Sequence, residues 1–374
     1  MKHSIFNLVL SAAVIILRLG MLPIQAAENP KTLEIGAAAP DFNLPGIDGK
    51  NHTLKDYAAA KILFIVFTCN HCPTAQAYED RLLKLHADYK DKGVAVVAIS
   101  PNDPLAVRLD ELGYTDLNDT LDEMKIRAKN RGFTFPYLFD GGSQATSKAY
   151  GAIATPHVFI FDQARKLRYV GRIDDSEVKQ VKSHDAANAL DEMLAGKPVS
   201  VEKTKVFGCS IKWAAKRDDS KQWVAKADME AVEIKPIDAA GVKELAKGHE
   251  KKLRLVNVWA TWCPPCVHEL PELVAINRMY RQRAFEMVTI SMDAIDKKDR
   301  GLEKLTELHV SCENTIFSEE DKDKLVDGLD KEWQGPVPHT LLIAPGGKVI
   351  YRHTGEMDVM ELRQAIVGYL GRTY

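Results

Sequence analysis

Short apolar runs alternate with amphipathic segments along this chain and predict an α/β fold. Four of the runs have the length and composition of buried strands: residues 62–67, 94–100, 255–259 and 285–291. The first and third are followed by segments 75–90 and 267–276, whose apolar residues recur at helical spacing. Strands that alternate with helices are typical of a sheet covered by helices.

The same order of elements occurs twice and predicts two homologous domains in tandem. The run 285–291 matches the run 94–100 at an offset of 191 (291 − 100). A Pro-His pair before a further apolar strand also repeats, at 156–157 and 338–339, with an offset of 182 (338 − 156). We expect domains at residues 33–215 and 231–374, joined by a linker at 216–230 that begins with a cluster of charged residues.

Each domain carries two cysteines separated by two residues, between a predicted strand and a predicted helix. The pairs are Cys69-Asn70-His71-Cys72 and Cys263-Pro264-Pro265-Cys266. A helix N-terminus stabilises a nearby thiolate, and a second cysteine in the same turn can close a disulfide. We therefore expect thiol–disulfide exchange, in which Cys69 and Cys263 attack while Cys72 and Cys266 resolve the mixed disulfide.

Composition and charge indicate no chemistry other than that of the cysteine sulfurs. The net charge is −2 and gives no reason to expect a nucleic acid partner. No phosphate-binding or dinucleotide motif occurs, so no organic cofactor is expected. Zinc is disfavoured because the two cysteine pairs are 194 positions apart (263 − 69). Copper handling by the thiols, with His71, remains an alternative from a different functional class.

Residues 1–27 have the pattern of a signal peptide and are excluded from the fold. Lys2 precedes an apolar core at 8–17, and small residues follow at Ala26 and Ala27. We expect export to a bacterial periplasm or cell envelope, with no membrane span beyond this segment. An uncleaved membrane anchor is the alternative. In that compartment the paired thiols are structural or are maintained by a redox partner.

The first domain resembles the redoxin branch of the thioredoxin fold, which includes the alkyl hydroperoxide reductase and thiol-specific antioxidant (AhpC/TSA) proteins. The resemblance rests on the 39–42 segment Ala-Pro-Asp-Phe, the strand that ends at Cys69, and Thr155-Pro156. It implies a central mixed β-sheet flanked by helices, with the cysteine turn beside a cis-proline. The peroxidase motif of that family is missing, because Thr68 lies one residue before Cys69 and no proline precedes it. A thiol peroxidase activity of this domain is therefore the weaker alternative.

The second domain resembles the TlpA-like and ResA-like thiol-disulfide oxidoreductases through Trp262 and the Cys-Pro-Pro-Cys turn. Glu269 stands where that family keeps an acidic residue. The resemblance implies a second thioredoxin-like domain that acts on protein thiols and disulfides, with an envelope protein as redox partner. Val337-Pro338 is its cis-proline candidate, as Thr155-Pro156 is in the first domain. A substrate strand could pair beside each proline.

Further residues could tune the two sites. His71 could place a positive charge beside the first cysteine pair, and Glu269 could place a negative charge beside the second. The residue of the first domain that corresponds to Glu269 by the spacing of the cysteine motifs is Ala75. We expect the first domain to be the stronger oxidant. The alternative interpretation makes Glu269 a surface residue. Cys209 is either a third thiol of the first site or a small buried hydrophobe. Cys312 is expected to be inert, and a Cys209–Cys312 disulfide is a further alternative.

Overall fold

The computed structural model describes residues 30–177 and 179–374, and the predicted signal segment 1–27 lies outside them. The first half contains strands β1 (Asn43–Pro45), β2 (Asn51–Thr53), β3 (Ile62–Phe67), β4 (Val94–Ser100), β5 (Tyr137–Phe139), β6 (Ala154–Thr155), β7 (His157–Phe161), β8 (Leu167–Gly171) and β9 (Cys209–Ser210). Its helices are α1 (Pro73–Ala77), α2 (Glu79–Tyr89), α3 (Leu121–Arg131), α4 (Ala145–Tyr150) and α5 (Asp185–Leu194).

The first domain is built on a five-stranded mixed sheet in the order β5-β4-β3-β7-β8. Strand β3 is buried along its whole length and lies between parallel β4 and antiparallel β7. Its alternate residues serve two separate cores: Phe64 and Val66 pack on one face, and Leu63, Ile65 and Phe67 on the other. The sheet is therefore covered on both faces, which explains the unbroken apolar run in the sequence.

The second half follows the same plan. Its elements are α6 (Arg217–Asp228), β10 (Lys235–Ile237), α7 (Ala239–Ala246), β11 (Leu253–Trp259), α8 (Pro264–Tyr280), β12 (Phe285–Ser291), α9 (Lys298–Glu307), β13 (Glu313–Phe317), α10 (Asp323–Leu329), β14 (His339–Ile343), β15 (Val349–Thr354) and α11 (Val359–Leu370). The sheet has six strands in the order β10-β13-β12-β11-β14-β15, with β11 buried throughout. The predicted α/β class and the two mixed sheets flanked by helices are confirmed.

The predicted linker at 216–230 is wrong in one respect, because most of it forms the helix α6. Asp218 and Asp219 lie in the first turn and Lys226 in the last, an arrangement that the helix dipole favours. Ser220 and Ala227 are buried. The charge cluster is therefore the start of an amphipathic helix that packs on the protein.

The two halves contact each other through the segment 101–120, which the first domain inserts after β4. The Tyr280 hydroxyl, at the end of α8, donates a hydrogen bond to the Thr115 carbonyl at 2.8 Å. Arg372 forms a 2.5 Å ion pair with Asp116, whose side chain is buried. Among the described residues, no helix combines the length and apolar character that a bilayer span requires.

Candidate active site

In the second domain, Cys263 and Cys266 form a disulfide at the N-terminus of α8. Cys263 is the N-cap residue, and its Sγ accepts a hydrogen bond from the Cys266 backbone N–H at 3.3 Å. The same sulfur lies 3.7 Å from the Val337 carbonyl oxygen. Trp262 beside it is 61% exposed and gives the site an apolar surface. The site therefore combines the helix-capping sulfur of Cys263, the sulfur of Cys266 bonded to it, and the nearby carbonyl group of Val337.

In the first domain, Cys72 and not Cys69 occupies the N-cap position of the helix. The Cys72 Sγ accepts a hydrogen bond from the Ala75 backbone N–H at 3.4 Å and lies 3.3 Å from the Thr155 carbonyl oxygen. These are the contacts that Cys263 makes in the second domain. Cys69, which we expected to attack as Cys263 does, therefore does not cap the helix.

The strand register explains the displacement. Phe67 lies opposite His157, as Val258 lies opposite His339, so the chains before the two helices correspond at an offset of 191 (258 − 67). At that offset Cys72 corresponds to Cys263. By the same offset Cys69 takes the place of Ala260, Ala75 that of Cys266, and Tyr78 that of Glu269. The earlier match of Glu269 with Ala75 is corrected accordingly.

Cys69 is buried in the interior, as Cys72 is. It is 3% exposed, and its Sγ lies 3.2 Å from the Thr155 hydroxyl oxygen. Burial, followed by the Cys72 sulfur beside it, raises the pKa of Cys69 well above its ordinary value. The first thiol of the motif is therefore held as a neutral group.

Cys209 does reach the first site. Strand β9 pairs with β6 so that Cys209 lies opposite Thr155, and its Sγ is 2.6 Å from the Cys72 Sγ. Cys209 is half-buried, whereas Cys72 is fully buried. The hydrogen bond to Cys72, followed by burial, raises the pKa of Cys209. Cys209 thus joins the first site, and the alternative of a simple buried hydrophobe does not describe its contacts.

Cys72 is the thiol that the site stabilises as a thiolate. Burial acts to raise its pKa, but hydrogen bonds from Cys209 and Cys69 oppose this. The charge of His71 and the Ala75 N–H act in the same direction, and together these groups bring the pKa of Cys72 well below its ordinary value. A helix N-cap beside a cationic residue is the environment in which reactive cysteines are found.

A buried carboxylate, Asp119, fixes the turn before Cys72. Its Oδ1 accepts the backbone N–H of Asn70 at 2.7 Å, and its Oδ2 lies 2.6 Å from His71 Nδ1. Asn102 donates to the same Oδ2 at 2.8 Å. Burial works against a charged imidazole, but the Asp119 carboxylate outweighs it and raises the pKa of His71. Asp119 was missed in the sequence because it lies 48 positions from its partner and carries no motif.

The second domain supports its turn through a corresponding position. Asp293, which matches Asn102 at the offset of 191, accepts hydrogen bonds from the backbone N–H and the hydroxyl of Thr261 at 3.0 and 2.8 Å. Trp262 matches His71. The second site therefore presents an exposed aromatic ring where the first presents a buried imidazole.

Glu269 is buried one turn into α8, with a side chain 3% exposed. Its Oε1 accepts from the Asn257 amide at 2.8 Å, and its Oε2 accepts from the Met357 backbone N–H at 3.4 Å. Burial raises the pKa of Glu269 to about 7. The alternative interpretation of a surface glutamate is wrong.

The peptide bonds Thr155–Pro156 and Val337–Pro338 are both cis, as the repeated Pro-His pattern predicted. Cys209 and Cys312 are both free thiols, and Cys209 lies beside Cys72, so the Cys209–Cys312 disulfide is not formed. Burial raises the pKa of Cys312 to about 12. Its Sγ lies 3.3 Å from the Asn314 amide oxygen. Cys312 directly precedes strand β13, which is separated by β12 from β11, the strand that leads to Cys263.

Three potential metal-binding side chains meet at the first site. The ligand atoms of Cys69, His71 and Asp119 all lie within 4.8 Å of one another and are buried. The His71 Nδ1 and the Asp119 oxygens are already engaged with each other and with neighbouring N–H groups. A metal ion would therefore have to displace an existing hydrogen-bond network.

The chain matches two related families of known proteins. Residues 35–170 match the AhpC/TSA family, and residues 240–366 match the Redoxin family. The thiol-disulfide oxidoreductase ResA of Bacillus thuringiensis subsp. konkukian (strain 97-27) is 26% identical over 162 residues, which are 43% of this chain and 78% of that protein. ResA of Geobacillus thermodenitrificans (strain NG80-2) is 27% identical over 148 residues, 39% of this chain and 75% of that protein.

Among solved structures, a hypothetical protein from Sinorhizobium meliloti 1021 is 37% identical. The match covers 50% of this chain and 97% of that chain, with a TM-score of 0.45. Taken with the two sheets and their cysteine turns, the family matches define the class: this chain is a tandem thioredoxin-fold protein, with an AhpC/TSA-family domain followed by a redoxin-family domain. Its relatives among thiol-disulfide oxidoreductases identify it as an oxidoreductase.

Proposed function

We propose that this protein is an exported thiol–disulfide oxidoreductase that exchanges disulfides with protein thiols of the bacterial periplasm or cell envelope. The observation that carries the proposal is the disulfide Cys263–Cys266, whose first sulfur caps α8 beside the Val337 carbonyl. The signal pattern of residues 1–27 supports export. We further propose that an envelope redox partner resets the dithiols and that no organic cofactor or metal takes part.

In the reduced second site, the Cys263 thiolate attacks a client disulfide and forms a mixed disulfide, while the other client sulfur leaves as a thiolate. Cys266 then attacks the Cys263 sulfur, so that the client leaves as a dithiol and the site becomes oxidised. The reverse sequence oxidises a client dithiol. Val337 and Pro338 lie where an extended client backbone would approach the Cys263 sulfur, and Thr155 and Pro156 hold the corresponding position beside the Cys72 sulfur.

Glu269 can serve this exchange as a local proton acceptor. Its carboxyl group lies on the same helix, three residues after Cys266. Its pKa of about 7 lets it accept a proton near neutral pH. A proton that leaves the resolving thiol needs an acceptor in this buried region.

At the first site the stabilised thiolate is that of Cys72, and its partner is one of two neighbouring thiols, Cys69 or Cys209.

The test is exchange with glutathione disulfide by the fully reduced protein, measured as glutathione released per chain. We expect two pairs of thiols to be oxidised in the wild type and one pair in Cys263→Ser and in Cys72→Ser. Cys312→Ser is the matched control, because Cys312 lies outside both sites, and it should behave as the wild type. A wild-type protein that releases no glutathione would contradict the proposal.

A thiol peroxidase activity of the first domain is the second candidate. It is favoured by the lowered pKa of Cys72 at a helix N-cap and by the match to the AhpC/TSA family. The full burial of Cys72 argues against it, because peroxide would have to enter the interior. Consumption of hydrogen peroxide in the presence of dithiothreitol would support it only if Cys72→Ser abolishes the reaction and Cys263→Ser does not. Copper retained after desalting of the reduced protein would instead favour metal handling.

A further inference from the structure

The segment 207–210 occupies the place at the first site where a client strand would lie. Strand β9 pairs antiparallel with β6, and Cys209 lies opposite Thr155, the residue whose carbonyl faces the Cys72 sulfur. The close approach depends on Gly208, which has a φ of +143°. A Cβ atom at Gly208 would lie 2.1 Å from the Thr155 carbonyl oxygen, so other residues do not fit there.

At the second site, strand β14 begins at His339, and no strand in the described part of the chain pairs with Val337. Its backbone beside the Cys263 sulfur is therefore open to a client. The difference between the domains is that the first holds a cysteine-bearing strand of its own chain in that place.

The three cysteines of the first site differ in exposure. Cys72 is fully buried and Cys69 is 3% exposed, whereas Cys209 is half-buried. A disulfide requires a sulfur–sulfur distance of about 2 Å, and the Cys72 and Cys209 sulfurs are 2.6 Å apart, so little movement is needed to join them. A client that approaches from solvent meets Cys209 first.

We propose that the working redox couple of the first domain is Cys72–Cys209, and that Cys209 is the sulfur that exchanges with clients. Cys69 does not form the working disulfide of this domain. The inference rests on the proposed thiol–disulfide exchange and specifies which sulfurs perform it.

The step balances with a client dithiol as reductant. A client thiolate attacks the accessible Cys209 sulfur, the Cys72–Cys209 bond breaks, and Cys72 leaves as a thiolate. The second client thiolate attacks the client sulfur in the mixed disulfide, which forms the client disulfide and releases Cys209 as a thiolate that takes up a proton from solvent. The client loses two electrons and the couple gains them. Exchange is faster when the leaving thiol is the one whose anion is better stabilised, which here is Cys72.

The test is disulfide mapping of the full-length protein. The protein is equilibrated with oxidised glutathione, quenched with acid, alkylated and digested without reduction, and linked peptides are identified by mass spectrometry. We expect a Cys72–Cys209 link beside the Cys263–Cys266 link. A Cys69–Cys72 link as the main species of the first domain would overturn the inference.

Two variants extend the test. Cys69→Ser should still form the Cys72–Cys209 link, whereas Gly208→Ala should reduce the linked fraction at a fixed glutathione ratio by displacing β9 from Thr155. The Cys263–Cys266 link serves as an internal control for folding and should form equally in both variants. Loss of the Cys72–Cys209 link in Cys69→Ser, with the internal control intact, would contradict the assignment.

The outcomes separate this inference from the proposed function. If only Cys263–Cys266 forms a disulfide, the inference fails and exchange stands for the second domain. If neither domain forms a disulfide under oxidising glutathione, the proposed function itself fails.

Discussion

Replacement of Glu269 with glutamine should change how stability depends on pH. In the unfolded chain this carboxyl group ionises near 4.5, and in the folded protein burial raises its pKa to about 7. Between these values the unfolded state binds fewer protons than the folded state. The free energy of unfolding therefore falls as pH rises. The contribution of the protonated group is fully present below pH 4.5 and is lost as pH rises through 7.

The magnitude follows from the two pKa values. One pKa unit corresponds to about 1.4 kcal/mol, so a rise from 4.5 to about 7 amounts to roughly 3 kcal/mol, most of it between pH 5 and pH 8. Glutamine does not ionise, so Glu269→Gln should lack this loss. Glu269→Gln should also differ from the wild type by an amount that does not depend on pH, because the N–H donors of Asn257 and Met357 bond to two carboxyl oxygens and an amide offers one oxygen. The informative quantity is the change with pH.

The assay is urea unfolding at pH 5 and pH 8, with Cys263–Cys266 oxidised in both proteins. Fluorescence of the buried Trp259 and Trp333 reports on the second domain. We expect Glu269→Gln to gain about 2 to 3 kcal/mol relative to the wild type on going from pH 5 to pH 8. Glu272→Gln, on the same helix but with a side chain 52% exposed, is the matched control and should follow the wild type. Equal pH dependence in wild type and Glu269→Gln would mean that folding does not raise the pKa of Glu269.

Three other predictions concern the first site and the domain contact. Asp119→Asn removes the charge partner of His71 and should therefore raise the pKa of the Cys72 thiol. This pKa is measured from thiolate absorbance near 240 nm as a function of pH. An unchanged titration would mean that His71 does not act on Cys72. Cys209→Ser exchanges the thiol for a hydroxyl and should shift the same titration, whereas Cys312→Ser should leave it unchanged. Arg372→Ala leaves the buried Asp116 carboxylate without its ion-pair partner and should lower the free energy of unfolding by about 1 to 3 kcal/mol. A loss no larger than that from removing an exposed pair such as Lys247 with Glu244 would contradict this.

Most of the fold could be predicted because the hydrophobic pattern is strong. Apolar residues recur at helical spacing over residues 185–194 and 359–370, and α5 and α11 have these bounds. The helical pattern at 120–131 became α3, with Thr120 as its N-cap. Strands buried on both faces read as continuous apolar runs, and β3 and β11 are of this kind. Helix α6 was missed because charged residues at a helix start have the composition of a linker.

The sites were predicted less completely, and the reason is register. Alignment of the two Cys-x-x-Cys motifs gave an offset of 194, whereas the strands around them correspond at 191. The shared motif suggested that Cys69 corresponds to Cys263, but strand pairing fixes the backbone and places Cys72 there. A sequence motif records spacing along the chain and does not show which residue begins the helix.

Long-range contacts were only partly predictable from the sequence. Asp119 reaches His71 across 48 positions and leaves no periodic or compositional signal. Cys209 was one candidate for a third thiol of the first site, but the sequence did not show that it contacts Cys72 across 137 positions. The place of His71 inside the motif indicated a tuning residue, which stays a prediction, and the structure places beside it the Asp119 carboxylate that raises its pKa.

We propose that each domain holds one exchanging dithiol and that the first domain is the stronger oxidant. Both points are tested by equilibrating the full chain with a series of glutathione ratios and quantifying the oxidation of every cysteine by differential alkylation and mass spectrometry. We predict two transitions, with Cys72 and its partner becoming oxidised at less negative potentials than Cys263 and Cys266. The stabilised Cys72 thiolate favours the reduced form, and about 1.4 kcal/mol corresponds to about 30 mV. First-domain thiols that stay reduced throughout the series, or that become oxidised at more negative potentials than Cys263 and Cys266, would contradict the account.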